Sequence, residues 1–332
     1  MSEPRFASRR LILGTAMGAT LGASLGTTLA APALAQGAFP NRPVSMIIPF
    51  PPGGTTDVTL RALAEGAARR LSQQVVVDNR PGAANTLGAA MVARARPDGY
   101  LLTQLPASAI RVQLLQKLAY DTLRDFTPVL CVTGYSYVTI AKGGRFPGGW
   151  ADFVAEARRR PGELSYGSTG VNGTPHVTMA ELAAKEGINI IHVPFRGDAD
   201  GSQALLGGHI DVMAGGSGLA TLVDGGAAQF MHVWNAERLA RWPQAPTLKE
   251  LGYDMVVTTP FGLVAPAGVD PGVTRVLHDA FAASARSGEF KAVLARYDMP
   301  DEYRNSADYG TLLRETVARE EALIRRLNLT AG

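Results

Sequence analysis

The sequence predicts an α/β protein whose ligand sits between two halves, and three observations lead there. Short apolar runs alternate with stretches whose apolar residues recur every three or four positions, the pattern of parallel strands wrapped by helices. About 297 residues follow an N-terminal leader, enough for a large core and more than one domain. Two loops rich in Gly, Ser and Thr, one in each half, place hydrogen-bond donors where strands run into helices.

Residues 1–35 read as an export signal. Arg5, Arg9 and Arg10 precede an apolar run from Leu11 to about Ala31, and Ala33-Leu34-Ala35 supplies a small-x-small cleavage pattern before Gln36. The run is too rich in Gly, Ala and Thr, and too close to Pro32, for a permanent span. Ser8 to Leu13 resembles a twin-arginine signal, with Gly14 where Lys is frequent. The leader carries +2 of the chain's formal +3, so the remainder has 29 basic against 28 acidic groups. A near-neutral body without a dense Lys/Arg run argues against nucleic acid or an anionic membrane as partner. Cys131 is the only cysteine, which excludes an internal disulfide, and no Cys follows Ala35 to carry a lipid. The expected address is the soluble periplasm.

The elements follow in order. Val44 to Phe50 is a buried strand, and Leu60, Leu63, Ala64, Ala67, Ala68 and Leu71 share one helix face. Val75 to Val77 is the next strand, followed by the turn Arg80-Pro81-Gly82, a helix through Leu87, Met91 and Val92, and a strand from Gly99 to Leu102. Trp150, Phe153, Val154 and Ala157 define a helix that stops at Pro161-Gly162. Strands Ile188 to Phe195 and Ile210 to Ala214 bracket a helix at Gln203 to Leu206, ended by Gly207-Gly208, and Phe230 to Trp234 is a further strand. Asp270 and Pro271 suit the N-cap and first position of a helix striped by Val273, Val276, Leu277, Ala280 and Phe281. A last helix carries Leu313, Val317, Ile324 and Leu327 on one side, with Glu315–Arg319 and Glu321–Arg325 as surface pairs.

Catalytic patterns are thin. Gly167-Ser168-Thr169-Gly170 and Gly216-Ser217-Gly218 fall short of G-x-S-x-G. His176, His192, His209, His232 and His278 show no metal-ligand spacing, so no metal and no cofactor is expected. Cys131 lies in an apolar stretch and reads as a buried, inert thiol.

The loop Pro49-Phe50-Pro51-Pro52-Gly53-Gly54-Thr55-Thr56-Asp57 carries more chemistry. It joins a strand end to a helix N-terminus, where unpaired N–H groups and aligned peptide dipoles favour an anion. Gly53 and Gly54 let backbone approach a ligand, and Thr55, Thr56 or Asp57 can cap the helix. Without the Lys-Ser/Thr of a P-loop, a carboxylate suits it better than a nucleotide phosphate, the plain alternative being a tight capped turn. Tyr166 to His176 repeats the grammar, with Thr174-Pro175 as N-cap and first helical residue.

In order along the chain, PFPPGGTTD, VVVDNRPGAANTLGA, ARPDGY, LAYDTLRDFTPV, RRPGELSYGSTG, HVPFRG, LLGGHIDVM, PQAPTLKELG and FGLVAPAGV resemble the Bug receptors, the periplasmic substrate-binding proteins of tripartite tricarboxylate transporters. The resemblance covers nearly the whole chain after the leader. It implies a two-lobed periplasmic-binding-protein fold of the type II kind, each lobe a sheet flanked by helices, with two hinge crossings near Ser136–Lys142 and Thr258–Pro266. Lobe one would comprise residues 36–138 and 261–332, and lobe two residues 139–260. The implied function is capture of a small organic carboxylate between the lobes, as a monomer and without a cofactor, for delivery to transporter subunits in the membrane. A periplasmic sensor for a signalling partner is the alternative, and a secreted hydrolase using Ser168 or Ser217 a more distant one. By position, ligand contacts fall to Phe50, Pro52, Gly53, Gly54, Thr55, Thr56 and Asp57 in one lobe, and to Ser168, Thr169, Thr174 and His176 in the other. The chain departs from the family at Arg196-Gly197-Asp198 and at Ala214-Gly215-Gly216-Ser217-Gly218, which brings Asp198 and Ser217 to where the far end of a ligand would lie.

Overall fold

The computed structural model describes residues 39–331, so the leader lies outside the described residues. The first half runs β1 (Val44–Ile48), α1 (Thr55–Leu71), β2 (Val75–Asn79), α2 (Leu87–Ala93), β3 (Leu101–Gln104), α3 (Ala107–Leu115) and β4 (Phe126–Gly134). After a two-residue link come β5 (Tyr137–Lys142), α4 (Trp150–Arg159), β6 (Ser165–Ser168), α5 (Thr174–Glu186), β7 (Ile191–Pro194), α6 (Asp198–Leu206), β8 (Val212–Gly216), α7 (Thr221–Asp224) and β9 (Ala228–Val233). The chain then returns through β10 (Pro260–Pro266) and closes with α8 (Pro271–Ala285), α9 (Gly288–Arg296) and α10 (Ser306–Leu327).

Two five-stranded sheets result, ordered β2-β1-β3-β10-β4 and β7-β6-β8-β5-β9. The βαβ grammar predicts parallel pairing, and β1 does pair parallel with β2 and β3, as β6 does with β7 and β8. The sheets are nevertheless mixed, because β10 lies antiparallel to β3 and β4, and β5 antiparallel to β8 and β9. The cause is the crossing itself. β1 and β8 end at the loops between the sheets, whereas β5 and β10 arrive from the other sheet and start there, so they must run the opposite way.

Each sheet is packed on both faces. Met46 and Ile48 of β1 join Leu60, Leu63 and Ala67 of α1 and Leu277 and Phe281 of α8 in one cluster, while Ile47 faces Ala89, Val92, Ile110 and Leu313 on the other side. The α1 stripe is the one its three- and four-residue spacing predicts, and Gly66 lets α1 approach α8, since a methyl there would meet Ser284 Oγ at 2.2 Å. Asp270 caps α8 as its position predicts, accepting the Gly272 and Val273 N–H groups. In α10 the Glu321–Arg325 pair spans 3.9 Å, but Arg319 donates to Thr316 Oγ1 instead of pairing with Glu315. Cys131 is buried, and that burial pushes its thiol up to about 11, consistent with an inert group.

Candidate functional site

The loop after β1 presents a helix end. Gly53 sits at φ +84°, a left-handed conformation that favours glycine, and Gly54 is the N-cap of α1 in extended backbone. No side chain caps this helix, contrary to the expectation for Thr55, Thr56 or Asp57. Among the described residues the N–H groups of Gly54, Thr55 and Thr56 have no acceptor. Asp57 is turned away to brace the loop from behind, accepting from Gly53 N at 2.9 Å, Arg61 Nε at 2.9 Å and Asn79 Nδ2 at 2.8 Å. Burial pushes its carboxyl up, but these bonds outweigh it and hold the group below its ordinary value. The donors therefore remain open while the braced carboxylate holds them in place.

These donors line a cavity of about 60 Å³ between the two sheets. Its wall includes Phe50, Pro51, Pro52, Gly54, Thr55 and Thr56 from the first loop, with Asn85, Pro106, Ala107 and Ser108 beside them. The β4–β5 crossing contributes Tyr135 and Tyr137, whose rings stack at 5.6 Å. The second half supplies Thr169, Gly173, Thr174, Pro175, Gly197, Asp198, Ala199 and Gly216. The N-terminal ends of α1, α3, α5 and α6 thus meet at one small space. Each end presents partial positive charge, so their convergence favours a bound anion.

The two halves touch across this space. A methyl on Gly197 would lie 3.0 Å from Pro51 Cδ, and one on Gly218 would lie 2.1 Å from Thr55 Oγ1. The glycines at 215 and 216 likewise make room for Asp198, whose Oδ2 accepts the Gly216 N–H at 3.2 Å. Asp198 Oδ1 is shielded from solvent and has no partner, and burial pushes this carboxyl up to about 7.

Of the residues assigned to the ligand from sequence, Phe50, Pro52, Gly54, Thr55, Thr56, Thr169, Thr174 and Asp198 line the cavity, whereas Gly53, Asp57, Ser168, His176 and Ser217 do not. Thr174 is the first residue of α5, and Gly173 holds the cap expected of Thr174. Ser168 is fully buried and bonds His192 Nε2 at 2.7 Å, and His192 stacks on His176 at 4.0 Å. Burial and the neighbouring His176 push His192 down to about 4, and no carboxylate bonds its ring among the described residues. His176 Nδ1 accepts the Asn172 N–H and so shapes the loop before α5. Ser217 Oγ is buried without a partner, while its N–H donates to Ser136 O at the crossing.

Sequence reasoning passed over Asn85, Ser108, Tyr135 and Tyr137. Asn85 Nδ2 donates to Ser108 Oγ at 3.1 Å, joining the loop before α2 to the start of α3. Ala83, Ala84 and Asn85 occupy the left-handed region in succession, at φ 46°, 52° and 69°. Such backbone costs an alanine about 1–2 kcal/mol and is frequent near functional sites. The tyrosines could have been found as polar-tipped aromatics flanking a crossing, since Tyr135 Oη bonds Thr56 Oγ1 at 2.8 Å.

The family model described as "Tripartite tricarboxylate transporter family receptor" matches residues 59–329. A curated relative from Cupriavidus necator, the UPF0065 protein in the gbd 5' region, is 40% identical over 301 residues, covering 90% of this chain and 92% of its own. Among solved structures, MatC from Rhodopseudomonas palustris with bound malate superposes with a TM-score of 0.80 at 26% identity, over 86% of this chain and 100% of its own. The R. palustris protein Rpa4515 with adipate superposes at 0.82 and 25% identity, over 88% of this chain and 99% of its own.

Proposed function

This chain belongs to the tripartite tricarboxylate transporter receptor family, and we propose that it captures a small organic carboxylate between its lobes outside the cytoplasm and delivers it to a membrane transporter. One observation carries the proposal: four helix N-termini meet at a cavity lined by no Lys, Arg or His among the described residues, so anion recognition falls to backbone and hydroxyl donors. The similarity to proteins with bound malate and adipate supports a carboxylate as the anion. Lobe one would be residues 36–138 and 261–332 and lobe two residues 139–260, hinged where β4 passes into β5 and where the chain returns to β10.

A thermal-shift screen of mono-, di- and tricarboxylates tests the capture step. A true ligand at 100 times its Kd adds about 2.7 kcal/mol of stability, which gives a clear rise in Tm. If no carboxylate shifts the transition or gives heat on titration, the proposal fails.

Lobe closure has its own test. Gly218→Ala inserts a methyl where Thr55 Oγ1 now sits, at a position whose backbone tolerates alanine. The variant should have a larger radius of gyration by X-ray scattering and should bind a screened acid about tenfold less tightly, because closure is held back. Wild-type compaction and affinity in this variant would rule out the packing of Thr55 on Gly218 as part of closure.

A further inference from the structure

We infer that the cleft is built for an amino acid, whose ammonium is received by the Asp198 carboxylate while its own carboxylate lies at the N-terminus of α1. This rests on the carboxylate reading above and names the ligand's second group.

Asp198 is the one charged side chain lining the cavity among the described residues. Its two oxygens are treated differently. Oδ2 accepts the Gly216 N–H, whereas Oδ1 is cut off from solvent and has no partner. An unpaired buried acceptor is destabilising, and a donor brought by a ligand removes that cost. Among the described residues no cationic side chain lines the cavity to take this role. The nearby Arg196 points its charge outward, where it pairs with Asp200 and stays exposed. Asp198 also opens α6, where the helix dipole favours the ionised form of its carboxylate.

Geometry narrows the ligand further. A methyl on Gly216 would lie 3.6 Å from Thr55 Oγ1 and 3.1 Å from Asp198 Oδ2, so the anion-binding loop and Asp198 are close neighbours. An amino acid, with its ammonium on the carbon next to the carboxylate, is short enough to serve both. Tyr135 and Tyr137 line the same space. Burial alone pushes Asp198 up to about 7, the response of a carboxylate lacking its counter-charge. The glycines at 215 and 216 belong to the same device, since a side chain at either would strike the Asp198 carboxylate.

Two matched series test this at pH 8 on the processed protein: L-alanine, L-lactate and propanoate, and L-aspartate, L-malate and succinate. Within each, only the group on the second carbon changes. Calorimetric titration should show the ammonium member of at least one series binding ten or more times tighter than its hydroxyl analogue. Asp198→Asn should erase that preference. If malate, succinate or any other acid without an amine is the tightest ligand of its series in both series, the amino-acid assignment is overturned while the carboxylate reading stands. Wild-type ammonium preference in a folded Asp198→Asn protein would overturn the role of Asp198. If no acid binds at all, both fall together. The wild-type ranking decides the question even if the variant folds poorly.

Discussion

Replacing Arg111 by Leu should destabilise the protein by about 3–5 kcal/mol, because it leaves a buried carboxylate unpaired. Arg111 lies on α3 with its side chain 1% exposed, facing Glu320 of α10 at 8%. Its Nε and Nη2 donate to the two carboxylate oxygens at 2.7 and 3.0 Å, a bidentate pair, and Nη1 donates to the Asn172 carbonyl at 2.6 Å. The first two bonds fasten α10 to the first sheet's helices, and the third reaches the loop that opens α5. Removing the guanidinium strands Glu320 and the Asn172 carbonyl together. Arg196–Asp200 offers the contrast, since its side chains are 79% and 42% exposed and its loss should change stability by less than about 1 kcal/mol. Calorimetry of Arg111→Leu and Arg196→Ala compares them directly. A melting temperature roughly 6 °C or more below wild type is expected for the first, and almost no change for the second. Adding Glu320→Leu to Arg111→Leu should recover much of the loss, because two apolar side chains leave no stranded charge. Equal effects of the two Arg variants would mean that solvent reaches the buried pair.

The same burial explains what was legible in the sequence. The α1 and α8 stripes and the Asp270 cap depend on residues within a turn or two of one another, so they could be read locally. Helix α3 could not, because Ala107 through Val112 are all buried and no polar face betrays the 3.6-residue period. β10 was hidden as a strand by Pro260 and Pro266 at its ends, residues that ordinarily argue against one. The site divides in the same way. The first loop announced itself through glycines and threonines at a strand–helix junction. Asn85, Ser108, Tyr135 and Tyr137 reach the cavity only because the chain crosses between sheets and α3 packs beneath it. Asp198 was visible as a departure from the family pattern, but its unpartnered oxygen depends on the glycines near Gly216, many residues away.

Gly54→Pro should weaken carboxylate binding about ten- to a hundredfold and leave the fold nearly unchanged. Most substitutions in a binding loop confuse these two effects, but the backbone here separates them. Gly54 sits at φ −79° and ψ 170°, a conformation proline adopts, and a Cβ there meets nothing within 4 Å. Gly53 before it has no Cβ to strike the ring. The Gly54 N–H has no acceptor among the described residues, so deleting it removes no internal hydrogen bond. Proline is also well suited to the start of a helix. If the ligand carboxylate takes that N–H, the variant forfeits one charge-assisted bond, about 1.5–3 kcal/mol. Asp57→Asn is the companion change. Asp57 faces Gly53, Arg61 and Asn79 rather than the cavity, so its loss should lower the melting temperature and loosen the loop more than it alters ligand charge. Calorimetric titration and thermal melting of both variants therefore give opposite signatures: affinity lost with stability kept for Gly54→Pro, and stability lost first for Asp57→Asn. Wild-type affinity in a folded Gly54→Pro protein would show that the α1 N-terminus does not hold the anion, and would leave the first turns of α3, α5 and α6 to hold it.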